Sequence, residues 1–261
     1  MARSMTAPGR ARFQEAAAPS PDAARLYAWG ARVLYIGPAL NLSAHRNAVA
    51  VLALGLDAPF EAAETPGEPA SAWRTCRSLL IPPDALHHLR SAGGRMAFLY
   101  VDPLSRDLQR LAGHDMAALA SLLLRLADGA RDWADVRREL TLRLGAGAAG
   151  PDPRIRAALD ALHADPSARL SLDDLARRAG LSASRFRRLF RAATGVTLRR
   201  YRLWIAMGAA ARAIARGERL TTAALDAGFS SSAHFSAAFR EMFGLEPSRL
   251  ARGRLALEAR G

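Results

Sequence analysis

Arg187 and Arg188 stand side by side in SASRFRRLFRAATG, residues Ser182 to Gly195, between Phe186 and Phe190. If this stretch is a helix, the two phenylalanines share one face, and Ser184, Arg185, Arg187, Arg188 and Arg191 occupy the others. A guanidinium on an exposed helix is a planar fork that pairs with two acceptors at once, as on a carboxylate, a phosphate or the O6/N7 edge of guanine. A second stretch, SSAHFSAAFREMFG from Ser231 to Gly244, repeats the serine start, the phenylalanines and the closing glycine. It carries Ser236 and Ala237 where the first copy carries the two arginines. The correspondence runs Ala179/Ala227, Gly180/Gly228, Leu181/Phe229, Ser182/Ser230, Phe186/Phe235, Phe190/Phe239 and Gly195/Gly244. Residues shared by both copies are those a core needs, and residues that differ are those an outer face is free to change.

The surrounding elements supply the positioning. SLDDLARRAG starts with Ser171, whose hydroxyl can cap the amide of Asp174, and closes on Gly180; LTTAALDAG repeats this short helix and ends at Gly228. A short helix, a tight turn with Gly and a second helix with a polar outer face is a helix-turn-helix layout, and it occurs at 172–195 and again at 220–244. TLRRYRLWIAMGAAARAIARG predicts one long helix between them, and PRIRAALDALHADP an amphipathic helix before them. The charge follows the same division. The chain has 261 residues and a net charge of +13, and all 37 of its basic residues are arginine. Residues 1–150 hold 17 Arg against 14 acidic side chains, and 151–261 hold 20 against 10, so the second part suits a polyanion.

The N-terminal half reads differently. RVLYIGPAL, AVAVLALGL, CRSLLIPP and MAFLYVD are short apolar runs separated by turn residues, with no amphipathic helix between them, as in a sandwich or barrel. From Leu104 to Leu144 the pattern turns helical, with Leu119, Leu122, Leu123 and Leu126 on one face and a break at Asp128 and Gly129. This helical pair offers a dimer surface or a cover for the strands. LGAGAAGPDP is the clearest linker. The expected organisation is α+β: a disordered leader at 1–23, a β-domain at 24–103, the helical pair at 104–144, a linker at 145–153 and a helical domain at 154–254. The leader lacks the apolar segment of a signal peptide, and no run is long enough to span a membrane, so a cytoplasmic location is expected.

Other chemistry is weaker. His45, His87 and His88 lie in the β-domain, but His45 is followed by Arg46 and Asn47 rather than by a second histidine, so no metal and no cofactor is expected. His45 and His87 are instead candidates for polar contact with a small molecule. The single cysteine, Cys76, excludes an internal disulfide and lacks the sequence context of an alkyl-accepting repair enzyme. No phosphate-binding loop, G-x-S-x-G or G-x-G-x-x-G is present, and no catalytic residue is expected.

The run from SLDDLARRAG through LTTAALDAGFSSSAHFSAAFREMFGLEPSRL, about 100 residues, closely resembles the DNA-binding domain of the AraC/XylS family of transcriptional regulators. Its most diagnostic piece is Ala223 to Ser248. AHRNAVAVLALGL, LLIPPDALHHL and LYVDPLSRD more loosely resemble the cupin-type effector barrel that often precedes it. The resemblance implies a non-enzymatic, sequence-specific regulator of promoter DNA acting with RNA polymerase, an activator or a repressor, with a small-molecule effector; a homodimer is a further option, and each monomer carries both DNA-reading units. It implies two recognition helices in successive major grooves, about 34 Å apart. Carried onto this sequence, the contact positions are Ser184, Arg187 and Arg188 in the first helix and Ser232, Ala233, His234, Ser236 and Ala237 in the second. Arg185, with Arg199, Arg200 and Arg202, is expected to meet phosphates or pair internally. Ligand control is expected to shift the two domains across the linker rather than alter the recognition helices. The alternative of another class is a cupin-type enzyme or ligand-binding protein with a basic DNA-binding accessory domain; it predicts a bound metal.

Overall fold

A computed structural model describes residues 24–30, 32–64, 73–102, 107–145, 152–165, 170–251 and 256–259. The predicted leader at 1–23 lies outside these residues, as does most of the predicted linker.

The chain first lays down nine strands: β1 (Arg25–Trp29), β2 (Arg32–Pro38), β3 (Leu42–Arg46), β4 (Ala50–Gly55), β5 (Phe60–Ala63), β6 (Arg74–Cys76), β7 (Ser78–Ile81), β8 (Leu86–Arg90) and β9 (Arg95–Val101). A last strand, β10 (Ala256–Ala259), comes from the far end of the chain. They form two sheets, one ordered β10-β1-β2-β9-β4-β7 and the other β3-β8-β5-β6. Among the described residues, all pairings are antiparallel except β1 with β10. Among the described residues the two sheets share one core but are not joined by strand pairing, so the expected cupin-like β-domain is present as two facing sheets rather than as a closed barrel.

Side-chain alternation explains why the central strands read as unbroken apolar runs. In β2, β4 and β9, Leu34, Ile36, Leu52, Leu54, Ala97 and Leu99 point to one core, and Tyr35, Val51, Ala53, Met96 and Phe98 point to the other. Both faces of the large sheet are covered, so neither needs polar residues. The first core is closed by three helices, α1 (Asp107–Ala112), α2 (Met116–Ala127) and α3 (Trp133–Leu144). The leucine stripe on α2 is fully committed there, with Leu119, Leu122, Leu123 and Leu126 buried against the strands. The break at Asp128 and Gly129 is present, and a further break before Asp115 makes the expected pair a trio. Arg25 in β1 donates to the Leu126 and Ala127 carbonyls at 3.2 and 2.6 Å, satisfying the end of α2.

The helical domain comprises α4 (Pro153–Ala164), α5 (Leu172–Arg178), α6 (Ala183–Thr194), α7 (Leu198–Ala215), α8 (Leu220–Asp226), α9 (Ser232–Phe243) and α10 (Pro247–Ala251). It has two cores that share α7. Tyr201 and Ile205 join Phe186, Phe190 and Leu175 in the first, and Met207 and Ala210 join Phe229, Phe235 and Met242 in the second. A helix used on opposite sides by two cores has no polar stripe, which fits the apolar second half of α7. The predicted capping box is formed: Ser171 accepts from the Asp174 amide, and Asp174 accepts from the Ser171 amide. The sequence suggests a frayed end after Glu246; instead, residues 256–259 form a strand that extends the large sheet beside β1.

The two halves meet along a broad seam. Tyr100 of β9 lies 5.7 Å from Trp204 and 5.8 Å from Phe243 between ring centres, and the Tyr201 hydroxyl donates to Asp102 at 2.8 Å. A cavity of about 100 Å³ remains there, lined by Tyr35, Phe98 and Tyr100 on one side and by Trp204, Phe239 and Phe243 on the other.

Candidate nucleic-acid interface

The two helix-turn-helix units superpose in sequence with one difference. In the first, Ser182 is the N-cap of α6, two residues after Gly180; in the second, Ser231 caps α9, three residues after Gly228. The cap equivalent to Ser182 is therefore Ser231 rather than Ser230, and the second turn is one residue longer. Ser230 instead engages the recognition helix from outside, its N–H and hydroxyl lying 3.3 and 3.0 Å from His234 Nδ1.

On α6, Phe186 and Phe190 are buried, and Ser184, Arg185, Arg187, Arg188 and Arg191 are exposed. Ser184, Arg188 and Arg191 are spaced i, i+4, i+7 and form the stripe opposite the phenylalanines. Arg187 sits to one side of that stripe, lining a cleft of about 650 Å³ between the two units together with Arg191, Arg199, Arg202 and His234. The structure thus brings Arg187 and His234, one from each unit, to the same cleft. Arg191 is not among the positions that the family pattern supplies, although its helical spacing from Ser184 and Arg188 identifies it.

On α9 the corresponding stripe is Ala233, Ala237 and Arg240, all exposed. Ser232 and Ser236 are half-buried, and His234 is exposed with its ring 5.4 Å from that of Phe229. Arg240 occupies the place of Arg191, so the second copy keeps one of the four exposed arginines of α6. Its guanidinium is held by Glu246 at 2.7 Å. Net positive charge on the outer faces is therefore concentrated on α6.

Of the four arginines expected at phosphates or internal pairs, two are committed internally. Arg200 pairs with Glu241 at 3.2 Å and with Asp84 at 3.6 Å, and it donates to the Arg46 carbonyl. Arg202 donates to the Leu170 carbonyl, and burial lowers its pKa. Arg185 and Arg199 are exposed.

His45 and His87, the candidate effector contacts, are each 4% exposed and lie 4.0 Å apart between ring centres. Their Nδ1 atoms approach the Ser43 and Ala85 carbonyls at 2.7 and 3.0 Å. A carbonyl only accepts, so both rings carry the proton on Nδ1 and turn an Nε2 lone pair to the Asn47 amide, at 3.4 and 3.1 Å. His87 also lines an open cavity of about 600 Å³ with Arg46 and Arg74. Burial pushes the His45 imidazole down to about 3, reinforced by His87 and opposed by the Ser43 bond; burial lowers His87 as well.

This depression has a definite sign. A histidine with its folded pKa below its unfolded value of about 6.5 stabilises the fold fully above that pH, and the contribution falls as the unfolded chain takes up a proton that the folded chain refuses. Stability is expected to fall between about pH 6.5 and about pH 3, with His45 a contributor to that loss. Urea unfolding of His45→Gln at neutral and acid pH checks this. The variant should show a shallower decline than the parent, and an identical slope would remove His45 as its source.

Among the described residues, no group of three His, Cys, Asp or Glu side chains is arranged to hold a metal ion, and no helix is long and apolar enough to cross a membrane. The Cys76 thiol is half-buried in β6, and burial raises its pKa.

Known proteins decide what the tandem units are. A helix-turn-helix domain family matches residues 175–253, which span the end of α5, both recognition helices and α10. The tandem units form a helix-turn-helix domain, as the resemblance to AraC/XylS regulators implies. ToxT from Vibrio cholerae O395 is similar in fold over 86% of the present chain and 98% of its own, with a TM-score of 0.56 at 10% identity. The unsaturated fatty acid-bound ToxT of V. cholerae strain SCE256 is similar over 85% and 96%, with a TM-score of 0.55 at 10% identity. An AraC-type regulator from Chromobacterium violaceum is 28% identical over 38% of this chain and 90% of its own, with a TM-score of 0.36. No curated protein sequence matches the chain. At 10% identity the ToxT likeness is one of fold, and it extends to the β-domain as well as the helical one.

Proposed function

We propose that this regulator reads promoter DNA chiefly through α6, with α9 seated in the adjacent major groove, and that a small apolar effector adjusts binding from the seam between the domains. The observation that carries the DNA reading is the exposed stripe of Ser184, Arg188 and Arg191 with Arg187 at its side, in the unit that keeps its arginines turned outward. Arg187 and Arg188 supply guanine contacts. Ser232, Ala233, His234, Ser236 and Ala237 supply short polar contacts and close approach, Ala237 to a thymine methyl, and Arg185 and Arg199 meet phosphates.

The effector reading rests on the aromatic cavity in the seam. At about 100 Å³ it takes a group the size of one aromatic ring or a short alkyl chain. The ToxT neighbour is known with an unsaturated fatty acid bound, which favours an apolar ligand class. His45, enclosed and hydrogen-bonded, has less to offer a ligand than the seam; His87 borders the more polar open cavity. The resemblance to AraC/XylS regulators supports action with RNA polymerase in the cytoplasm, as an activator or a repressor. A homodimer is favoured by the outer face of α3, where Leu142 is 78% exposed.

Footprinting of the adjacent promoter with and without small aromatic and short-chain aliphatic compounds tests both parts. A protected site covering two successive major grooves on one face of the duplex is expected, with its occupancy changed by compounds that also raise the unfolding temperature. Protection without sequence preference would refute the DNA reading. Compounds that change neither stability nor occupancy would refute the seam as the effector site.

A further inference from the structure

The two recognition helices end in equivalent glycines, and the β-domain touches both. The Gly244 carbonyl accepts from the Ser43 amide at 2.9 Å and from the Ser43 hydroxyl at 2.8 Å. Gly244 has φ +71°, and a Cβ there would stand 2.5 Å from the Ser43 carbonyl oxygen and 2.6 Å from His45 Nδ1. Strand β3 therefore passes the end of α9 at a distance only glycine permits. In the other unit, a Cβ on Gly195 would lie 3.2 Å from Cβ of Pro83, in the turn between β7 and β8.

Ser43 and Pro83 belong to separate segments, and a buried network ties those segments together. Asn47, 2% exposed, holds His45 on its own segment and His87 just beyond the turn through one amide group. The Asp84 amide donates to the Asn47 carbonyl at 2.9 Å, and Arg46 donates to the Asp84 carbonyl. From the helical side, Arg200 at the start of α7 reaches Asp84, the Arg46 carbonyl and Glu241 of α9. The two units are thus linked twice, through α7 and through a cross-braced pair of β-domain segments.

We propose that this brace, centred on Asn47 between His45 and His87, fixes the separation of the two recognition helices and so selects the spacing of the two DNA half-sites. The proposal rests on the DNA-binding reading above and adds positioning residues to it. Half-sites read from one face of B-DNA must lie close to one turn apart, about 10 base pairs, and each added pair shifts the second site along and around the helix axis. Two units joined by one helix alone could follow such a shift by flexing. A second connection closes the frame and resists it. Removing the Asn47 amide leaves two buried imidazole acceptors unpaired and takes out the buried side-chain link between the Ser43 and Pro83 segments, which the Asp84–Asn47 backbone bond and the Arg46 bond then hold less firmly.

The test uses the full chain and duplexes carrying both half-sites at the preferred spacing or one or two base pairs from it. The parent is expected to prefer one spacing by about tenfold or more, and Asn47→Ala to reduce that preference to about threefold or less while keeping its base preference within each half-site. Arg188→Ala should do the opposite, losing base preference and keeping spacing preference. Pro83→Gly removes both side-chain atoms that face Gly195, outside the buried network, and its spacing preference should also fall; it decides the matter if Asn47→Ala does not fold. Folded variants with the parent's spacing preference would overturn the brace alone. Binding by the parent with no sequence preference would overturn the DNA reading and the brace with it.

Discussion

Arg188→Ala is expected to relax base preference at one position of the first half-site by about tenfold to a hundredfold, the equivalent of roughly 1–3 kcal/mol for a bidentate arginine–guanine pair. Arg188 is exposed at the middle of the α6 stripe, on the side away from the buried phenylalanines. The fold should therefore be unchanged, and the effect should appear as lost discrimination rather than lost stability. Ser236→Ala on α9 should cost less, because Ser236 is half-buried and the adjoining outward position is already alanine. Selection of binding sites by the two variants compares them directly, and an equal or larger loss from Ser236→Ala would place the principal readout in the second unit. Arg187→Ala, at the edge of the cleft, should weaken binding and relax preference at a different base.

The second large effect is on the fold. Gly244→Ala forces a left-handed conformation on alanine, costing about 1–2 kcal/mol, and drives its methyl into a backbone carbonyl and the His45 ring. Neither neighbour is the free end of a flexible chain, so the seam must open. A total loss of about 3 kcal/mol or more is expected, enough to lower the midpoint of urea unfolding visibly. Gly195→Ala meets only the Pro83 side chain at 3.2 Å and should cost less, about the conformational penalty with a small adjustment. If the two variants unfold at the same urea concentration, the tight contact between β3 and the end of α9 is not a constraint on stability.

The helical domain is well marked in the sequence because its signals are local. The capping box at Ser171, the phenylalanines of α6 and α9 and the glycines that end them all state their roles within a few residues. The β-domain is less legible because both faces of its large sheet are covered, which removes the alternation that would mark which side faces in. Short strands such as β5 and β6 carry little pattern of their own, and β10 pairs with residues more than two hundred positions earlier, so nothing near it announces a strand.

At the site, helical spacing is enough to infer the exposure of the α6 arginines. It is not enough for the internal engagement of Arg200 and Arg202, because their partners lie on other elements. His45 and His87 stand out in the sequence as unusual residues, but their joint attachment to Asn47 depends on the pairing of β3 with β8, where His45 stands opposite His87. Alongside the expected control by a shift of the two domains comes a role for the seam between them. The domains share a packed seam, so a ligand there would act on α7 and α9 directly.

Selection of binding sites from a randomised duplex library by the full chain, repeated at two salt concentrations, tests the central claim most directly. The expected result is a consensus of two half-sites about one helical turn apart, stronger on the side read by α6, with affinity falling steeply as salt rises. Recovery of no consensus, or binding indifferent to salt, would contradict it.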